Sequence, residues 1–552
     1  MTRSTRRDFL KAFAALSVSA LPGRSVSDLP RAPGIASDLC GPGSASRPLY
    51  VPRDRGFLGR LTLDDEVLTL RAAAAAPGLP WPGGLTRGYV AQARGVEYLD
   101  PTLVVRPGQR VRVQLLNNID EATIVHWHGL AVDTRNDGGG LTVAAPGERY
   151  AYDFTVRNRG ALYWYHPHPH GLTAGQAYRG MFGMLEVADA DEARLRSALD
   201  LVPGTSEIPL VLQDRRAGAD YPATDADRIH GLLGAEIYVN GTLCPQLDVG
   251  TRMYRFRILN ASSARTYRLG WRTLDGKPFP FVLVGNDGGL LPAPRRCVDA
   301  FLASAERLDV LLDLSDLEAG DAVVLETLAF DPMRMKTAAP ADAGAATPAW
   351  SPDNAPGGHA MPPGAASATP SVGDGGSLPE GSARVLLALR VRDKTAYRAR
   401  IPETLSTLPS IDVAQATERP LRLGFAKGRW RINDRVFAMD ETPIEVKRNS
   451  VEVWLIRNYF NSMPHAMHLH GFAFQVLERQ TSPDAIAALK VDEQGRLVTE
   501  GGRKDTVLVW PGESVRIAFD FTCPFPGDQT YMFHCHNLEH EDGGMMLGVK
   551  LS

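Results

Sequence analysis

Arg110-Val111-Arg112-Val113-Gln114-Leu115 alternates polar and aliphatic side chains one for one. A period of two sends the two sets to opposite faces, so the stretch reads as a β-strand with one face buried. The pattern returns at Tyr254-Arg255-Phe256-Arg257-Ile258-Leu259 and at Val451-Glu452-Val453-Trp454-Leu455-Ile456. Around each, short apolar runs are punctuated by turn-forming pairs, and Asn240-Gly241 and Asn433-Asp434 fall at matching turn positions of the second and third regions. The reading is all-β, in three units of β-sandwich size at 48–190, 205–330 and 383–552, with signs of internal duplication. Residues 331–382 are rich in Pro, Ala and Gly and poor in large apolar side chains, which predicts a surface linker or insertion.

A chain of 552 residues can bury three such cores. A formal net charge of -3 with 22% charged residues leaves no electrostatic footprint for nucleic acid, and a monomer is expected. The N-terminus, Ser4-Thr5-Arg6-Arg7-Asp8-Phe9-Leu10-Lys11 followed by an apolar run from Ala12 to Leu21, resembles a twin-arginine export signal. The run is too short to span a membrane. Residues 1–36 are therefore set aside as a signal peptide and tail, with the twin-arginine translocase as a transient partner and the periplasm or exterior as destination. In an oxidising compartment Cys40, Cys244, Cys297 and Cys523 could form up to two disulfides, and spacing leaves their pairing open.

The chemistry lies in the histidines. Thirteen scattered at random over this length would give fewer than one pair spaced two apart, yet there are five: His126/His128, His166/His168, His168/His170, His468/His470 and His534/His536. On a strand, residues i and i+2 share a face, so each His-X-His offers two imidazoles side by side to a metal or metal pair. In His534-Cys535-His536 the same alternation turns Cys535 away from its neighbours, so one strand touches two sites. A thiolate with two histidines and a weak thioether is the ligand set of a blue copper centre, and His465, His540 and Met545 stand ready to complete it. Zinc suits the pattern poorly, because a structural zinc site closes at four ligands and needs no methionine.

His126-Trp127-His128-Gly129, Trp164-Tyr165-His166-Pro167-His168, His465-Ala466-Met467-His468-Leu469-His470-Gly471 and the stretch from His534 to Met546 resemble the four copper motifs of the multicopper oxidases. The resemblance implies three consecutive cupredoxin-like Greek-key β-sandwich domains and four copper ions. It places a type 1 copper on His465, Cys535, His540 and Met545, a type 2 copper on His126 and His468, and a type 3 pair on His128, His166, His168, His470, His534 and His536. His170, His230 and His359 are left over. Asp137 and Glu541 stand where the family has acidic residues that deliver protons.

Implied with the family is an oxidase that takes single electrons from a reducing substrate at the type 1 copper and reduces dioxygen to water at the other three. A laccase-like phenolic or aromatic donor competes with Cu(I). Met463, Met333 and Met335 resemble the thioether-rich doorway of cuprous oxidases, since soft sulfur suits Cu(I), but Asn461 replaces an acid and only Met361 joins them. A non-catalytic blue copper carrier or copper-binding protein would have no use for the eight further histidines. Copper-free cell-division relatives of the same fold lack the ligands present here.

Overall fold

The computed structural model describes residues 46–78, 81–218, 220–333 and 377–552; the leader, Cys40, Met335, His359 and Met361 lie outside the described residues. The described chain forms three two-sheet sandwiches, each closed around its own hydrophobic core.

The three alternating stretches occupy the same place in their sandwiches. Arg110–Asn117 runs parallel to Leu68–Ala74 and antiparallel to Arg149–Thr155. Met253–Asn260 runs parallel to Glu207–Arg215 and antiparallel to Arg307–Asp313. Val451–Asn458 runs parallel to Thr417–Ala426 and antiparallel to Ser514–Asp520. In the first unit the aliphatic face is buried and the polar face is not. The middle strand departs from that pattern, because it is buried on both faces. Arg255 and Arg257 turn into an ion network with Glu192, Glu207 and Asp309, packed against the helix Ala190–Ala198 that leads from the first unit to the second. Buried charges persist there because each is paired.

The opposite sheets repeat too. Gly183–Val187 lies parallel to Thr102–Val105 and antiparallel to Ala161–Pro167, which pairs with Val125–His128. In the third unit Met546–Leu551 lies parallel to Ile444–Val446 and antiparallel to Gln529–Cys535, which pairs with His465–Leu469. The matching final strand of the second unit, parallel to Pro245–Gly250 and antiparallel to Ala322–Thr327, is Arg384–Asp393.

That strand closes the second sandwich, so the expectation of a third unit from 383 is corrected. The third unit's sheets begin at Thr417–Ala426. The segment 331–382 is an insertion within the last hairpin of the second unit, and the Phe330 N–H donates to the Gly381 carbonyl at 3.0 Å across its base. Local alternation identifies a strand but not its sheet, because pairing is set by distant residues. The true connection, after Asp393, lays Tyr397, Ile401 and Leu405 along the second unit. Cys244 is disulfide-bonded, whereas Cys297 and Cys523 are free thiols.

Candidate metal centre

Four equivalent strands carry the His-X-His motifs, two from the first unit and two from the third. The register sets His166 opposite His126 and His534 opposite His468. The units meet face to face, so that His126 stacks on His470 with ring centroids 3.7 Å apart, and His128 stacks on His468 at 3.8 Å. The result is a box of His126, His128, His166, His168, His468, His470, His534 and His536, all with no exposed surface. The corresponding strands of the middle unit, Tyr267–Thr273 and Ala322–Thr327, contain no histidine.

One nitrogen of each ring is anchored, with His168 the exception. His126 Nδ1 donates to the Asp137 carbonyl at 2.8 Å, His468 Nδ1 to the Asp505 carbonyl at 2.7 Å and His166 Nδ1 to the Pro167 carbonyl at 2.9 Å. His470 Nδ1 donates to Asp137 Oδ2 at 2.8 Å, His534 Nδ1 lies 3.1 Å from Glu541 Oε2, and His536 Nδ1 lies 3.5 Å from Ser304 Oγ. His128 reverses the pattern and donates from Nε2 to Asp505 Oδ1 at 3.0 Å.

The remaining nitrogens converge inward. His470 Nε2 and His534 Nε2 are 3.0 Å apart, and His166 Nε2 lies 3.4 Å from both His128 Nδ1 and His536 Nε2. Two lone pairs facing each other repel, but metal–nitrogen bonds of about 2.0–2.1 Å put two ligands of one ion roughly this far apart. His126 Nε2 and His468 Nε2 are buried with no hydrogen-bond partner. An orphaned buried nitrogen is costly unless something binds it, so the donor set fits a cluster of metal ions. Burial keeps His166, His168 and His468 neutral and ready to ligate: it pulls His166 down to about 4 and His168 and His468 to about 3.

Across the strand lies the second site. Cys535 Sγ is 3.5 Å from His465 Nδ1 and 3.6 Å from His540 Nδ1, a triangle of the right size for one ion. Their outer nitrogens are occupied, His465 Nε2 near Ser462 Oγ at 3.3 Å and His540 Nε2 donating to the Ile229 carbonyl at 2.9 Å. Met545 is buried in the same core; its N–H donates to the His540 carbonyl and its carbonyl accepts from the Cys535 N–H. Burial pushes the Cys535 thiol up to about 12, so a bound cation is what would make it a thiolate at neutral pH.

Two carboxyls predicted from sequence are in place. Glu541 reaches His534 as above and His168 Nε2 at 3.4 Å from its other oxygen; burial alone would raise its pKa, but His168 and His534 hold it well below the usual range. Asp137 is raised well above that range by burial, with Asp133 adding to the effect. It lines a cleft of about 470 Å³ with Arg135, Tyr150, Gln529 and Met532, which brings solvent to the edge of the box. Gly139 makes room for it, since a Cβ there would lie 2.6 Å from Asp137 Oδ2. His170 packs on Phe437 outside the box, and His230 is exposed at the end of the helix Asp225–His230 that covers His540.

Sequence reasoning misses Asp505, Arg307 and Trp430. Trp430 lies between His465 and His540, at centroid distances of 4.5 and 5.4 Å, and donates from Nε1 to the Ile229 carbonyl.

Two units also match known proteins. Residues 90–192 and 404–552 fit family models described as multicopper oxidase. The structure superposes on the McoA multicopper oxidase of the hyperthermophile Aquifex aeolicus with a TM-score of 0.76 and 30% identity, covering 92% of this chain and 100% of that one. The chain belongs to the multicopper oxidases. Among curated relatives, the multicopper oxidase mco of Staphylococcus haemolyticus is 28% identical over 82% of each chain. A laccase of Bacillus subtilis is 29% identical over 81% of this chain and 87% of its own length. As a multicopper oxidase this protein is a copper-dependent oxidoreductase that uses dioxygen and a reducing substrate, and its three sandwiches are cupredoxin-like.

Proposed function

We propose that this multicopper oxidase is laccase-like, taking electrons one at a time from a phenolic or aromatic donor and reducing dioxygen to water. One observation carries the reading: residues 534–536 belong to both donor sets, so the backbone of three residues joins the Cys535 triangle to the histidine box. The proposed ligands are His465, Cys535, His540 and Met545 for a type 1 ion, His126 and His468 for a type 2 ion, and the triads His128/His166/His536 and His168/His470/His534 for a type 3 pair. Bound copper would supply the one-electron steps at the triangle and the four-electron reduction of dioxygen in the box.

The protein's own residues do the rest. His540 and Trp430, both on the Ile229 side, form the route by which a donor's electron reaches Cys535. The units exclude bulk water from the box, leaving the cleft at Asp137 as the wet edge. Asp137, a buried carboxyl with a raised pKa, accepts from His470 at Oδ2 and holds a proton at Oδ1, which keeps an acid proton at the wet edge of the box. Glu541, an ionised carboxylate between His168 and His534, accepts and returns protons on the opposite side.

Oxygen uptake by copper-loaded protein tests the reading, with a phenolic donor and Cu(I) compared side by side. Phenol-driven uptake supports it, Cu(I)-only uptake turns it into a cuprous oxidase, and no uptake with either overturns the oxidase function. Of the described methionines behind the Cu(I) reading, Met463 packs against the third core and Met333 is half-buried. The Arg6-Arg7 leader supports export to the periplasm or beyond; cytoplasmic retention of an Arg6→Lys, Arg7→Lys chain is the expected result.

A further inference from the structure

The middle unit offers no ligand, yet Arg307 reaches the edge of the box, as Ser304 does at His536. Arg307 is 1% exposed, and its guanidinium donates to the carbonyls of Leu162, Ala305 and Asp287. It also grips both oxygens of Asp505, from Nη1 at 2.8 Å and from Nη2. Asp505 Oδ1 accepts the Nε2–H of His128, while the Asp505 main-chain oxygen accepts the Nδ1–H of His468. One residue thus imposes opposite tautomers on two stacked rings.

Asp137 stands in the matching place on the other stacked pair and does something different. Its carbonyl and its Oδ2 both accept from Nδ1 atoms, so His126 and His470 both turn Nε2 inward. His166, His468, His534 and His536 are anchored through Nδ1 as well. His128 alone among the anchored rings presents Nδ1, and among the described residues the carboxylate on its outer nitrogen is Asp505.

We infer that Asp505 and Arg307 are positioning residues for the type 3 pair: the carboxylate, oriented by a guanidinium from the middle unit, holds His128 as the imidazole that ligates through Nδ1. The inference rests on the ligand set proposed above. A carboxylate accepting the outer N–H of a metal-bound histidine fixes its ring and tautomer and raises its basicity. It also gives the ligand-free middle unit a part in the site, because the three residues of this chain of contacts come from three different sandwiches: Arg307 from the second, Asp505 from the third, His128 from the first.

The test uses full-length, copper-loaded protein and the variants Asp505→Asn, Asp505→Ala and Arg307→Lys. Copper per chain, the EPR spin count and the blue absorbance are measured together. Two bridged cupric ions are spin-coupled and EPR-silent, so damage to the pair shows as lost copper or as new EPR signal. Asp505→Ala is expected to weaken the pair's hold on copper about 10–100-fold while the blue band of the Cys535 site persists. Asp505→Asn has an amide oxygen that cannot serve both His128 and Arg307, and it should fall between parent and alanine. Arg307→Lys keeps the charge without the fork and should show a smaller loss. A general loosening of the interface would lower melting temperature without singling out the pair. Unchanged occupancy and EPR of the pair in the Asp505 variants overturns the inference; if Asp505→Ala does not fold, Asp505→Asn and Arg307→Lys decide by the same criterion. A parent protein that loads copper but shows no spin-coupled pair overturns the ligand reading itself.

Discussion

Gly231 sits at φ +84 just after the helix Asp225–His230, where a Cβ would lie 2.4 Å from Ala264 Cβ and 2.4 Å from Asn537 Nδ2. The segment it belongs to covers the outer edge of His540. Ile229 accepts from His540 Nε2 at 2.9 Å and from Trp430 Nε1 at 2.7 Å, and the Leu232 N–H donates to Glu539 Oε2 at 3.1 Å. Gly231→Ala requires a shift of about 1 Å to reach ordinary contact near 3.5 Å. Carried to Ile229, that shift takes its two hydrogen bonds out of range. A backbone at φ 84 and ψ 145 is open almost only to glycine and costs alanine about 1–3 kcal/mol, and each lost bond costs about 0.5–1.5 kcal/mol, so the total is roughly 2–6 kcal/mol. For a unit of this size each kcal/mol lowers the melting temperature by about 2–4 °C. Calorimetry should show that loss, and oxygen uptake should show a higher kcat/KM for a bulky phenol relative to a small one, because His540 becomes reachable. The blue band should stay. An unchanged melting temperature together with an unchanged donor ratio would refute the covering role. A shifted blue band would refute the choice of moving part, since it would mean that Asn537, whose Oδ1 accepts the His540 N–H at 3.3 Å, has yielded instead.

Cys535→Ser should abolish the blue absorbance and turnover while the histidine box still takes up copper; surviving turnover would break the proposed electron route. The same residue has a signature in metal-free protein. Burial pushes its folded thiol pKa to about 12, above the ordinary thiol value of 9.0, so its stabilising contribution is complete below pH 9 and is lost as pH rises toward 12. At pH 10 the metal-free parent should have lost about 1.4 kcal/mol that metal-free Cys535→Ser keeps, as urea unfolding at pH 8 and pH 10 would show; equal pH slopes contradict the burial argument. Glu541→Gln should slow oxygen reduction about 10²–10⁴-fold with the blue band intact, and parental oxygen kinetics would remove its proton role. Asp137→Asn keeps an acceptor for His470 but carries no acid proton, so reoxidation by dioxygen should slow while anaerobic bleaching by the donor does not; two unchanged rates would count against it.

The ligands are legible in sequence because what selects them is local. A period of two puts His534 and His536 on one face and Cys535 on the other, and no distant residue is needed to see it. The same rule misleads where a polar face meets another unit instead of water. Arg255 and Arg257 read as the solvent side of an alternating strand, and so does Arg307 in Arg307-Leu308-Asp309-Val310, yet all three are buried because acids from elsewhere in the fold complete them. Asp505 left one trace: Lys504-Asp505-Thr506 heads the apolar run Val507-Leu508-Val509, and charge at the mouth of a fully buried strand calls for a partner. The sequence names no partner, since Arg307 lies in a different sandwich. Arg384–Asp393 went to the wrong unit for the same reason, its neighbours Pro245–Gly250 and Ala322–Thr327 being set by topology rather than pattern. Alternation therefore reveals which side chains share a face, while the packing of the units decides what that face does. In this oxidase the polar faces of the ligand-free middle unit are turned toward its neighbours, and that orientation is what brings Arg307 to Asp505 and Asp505 to His128.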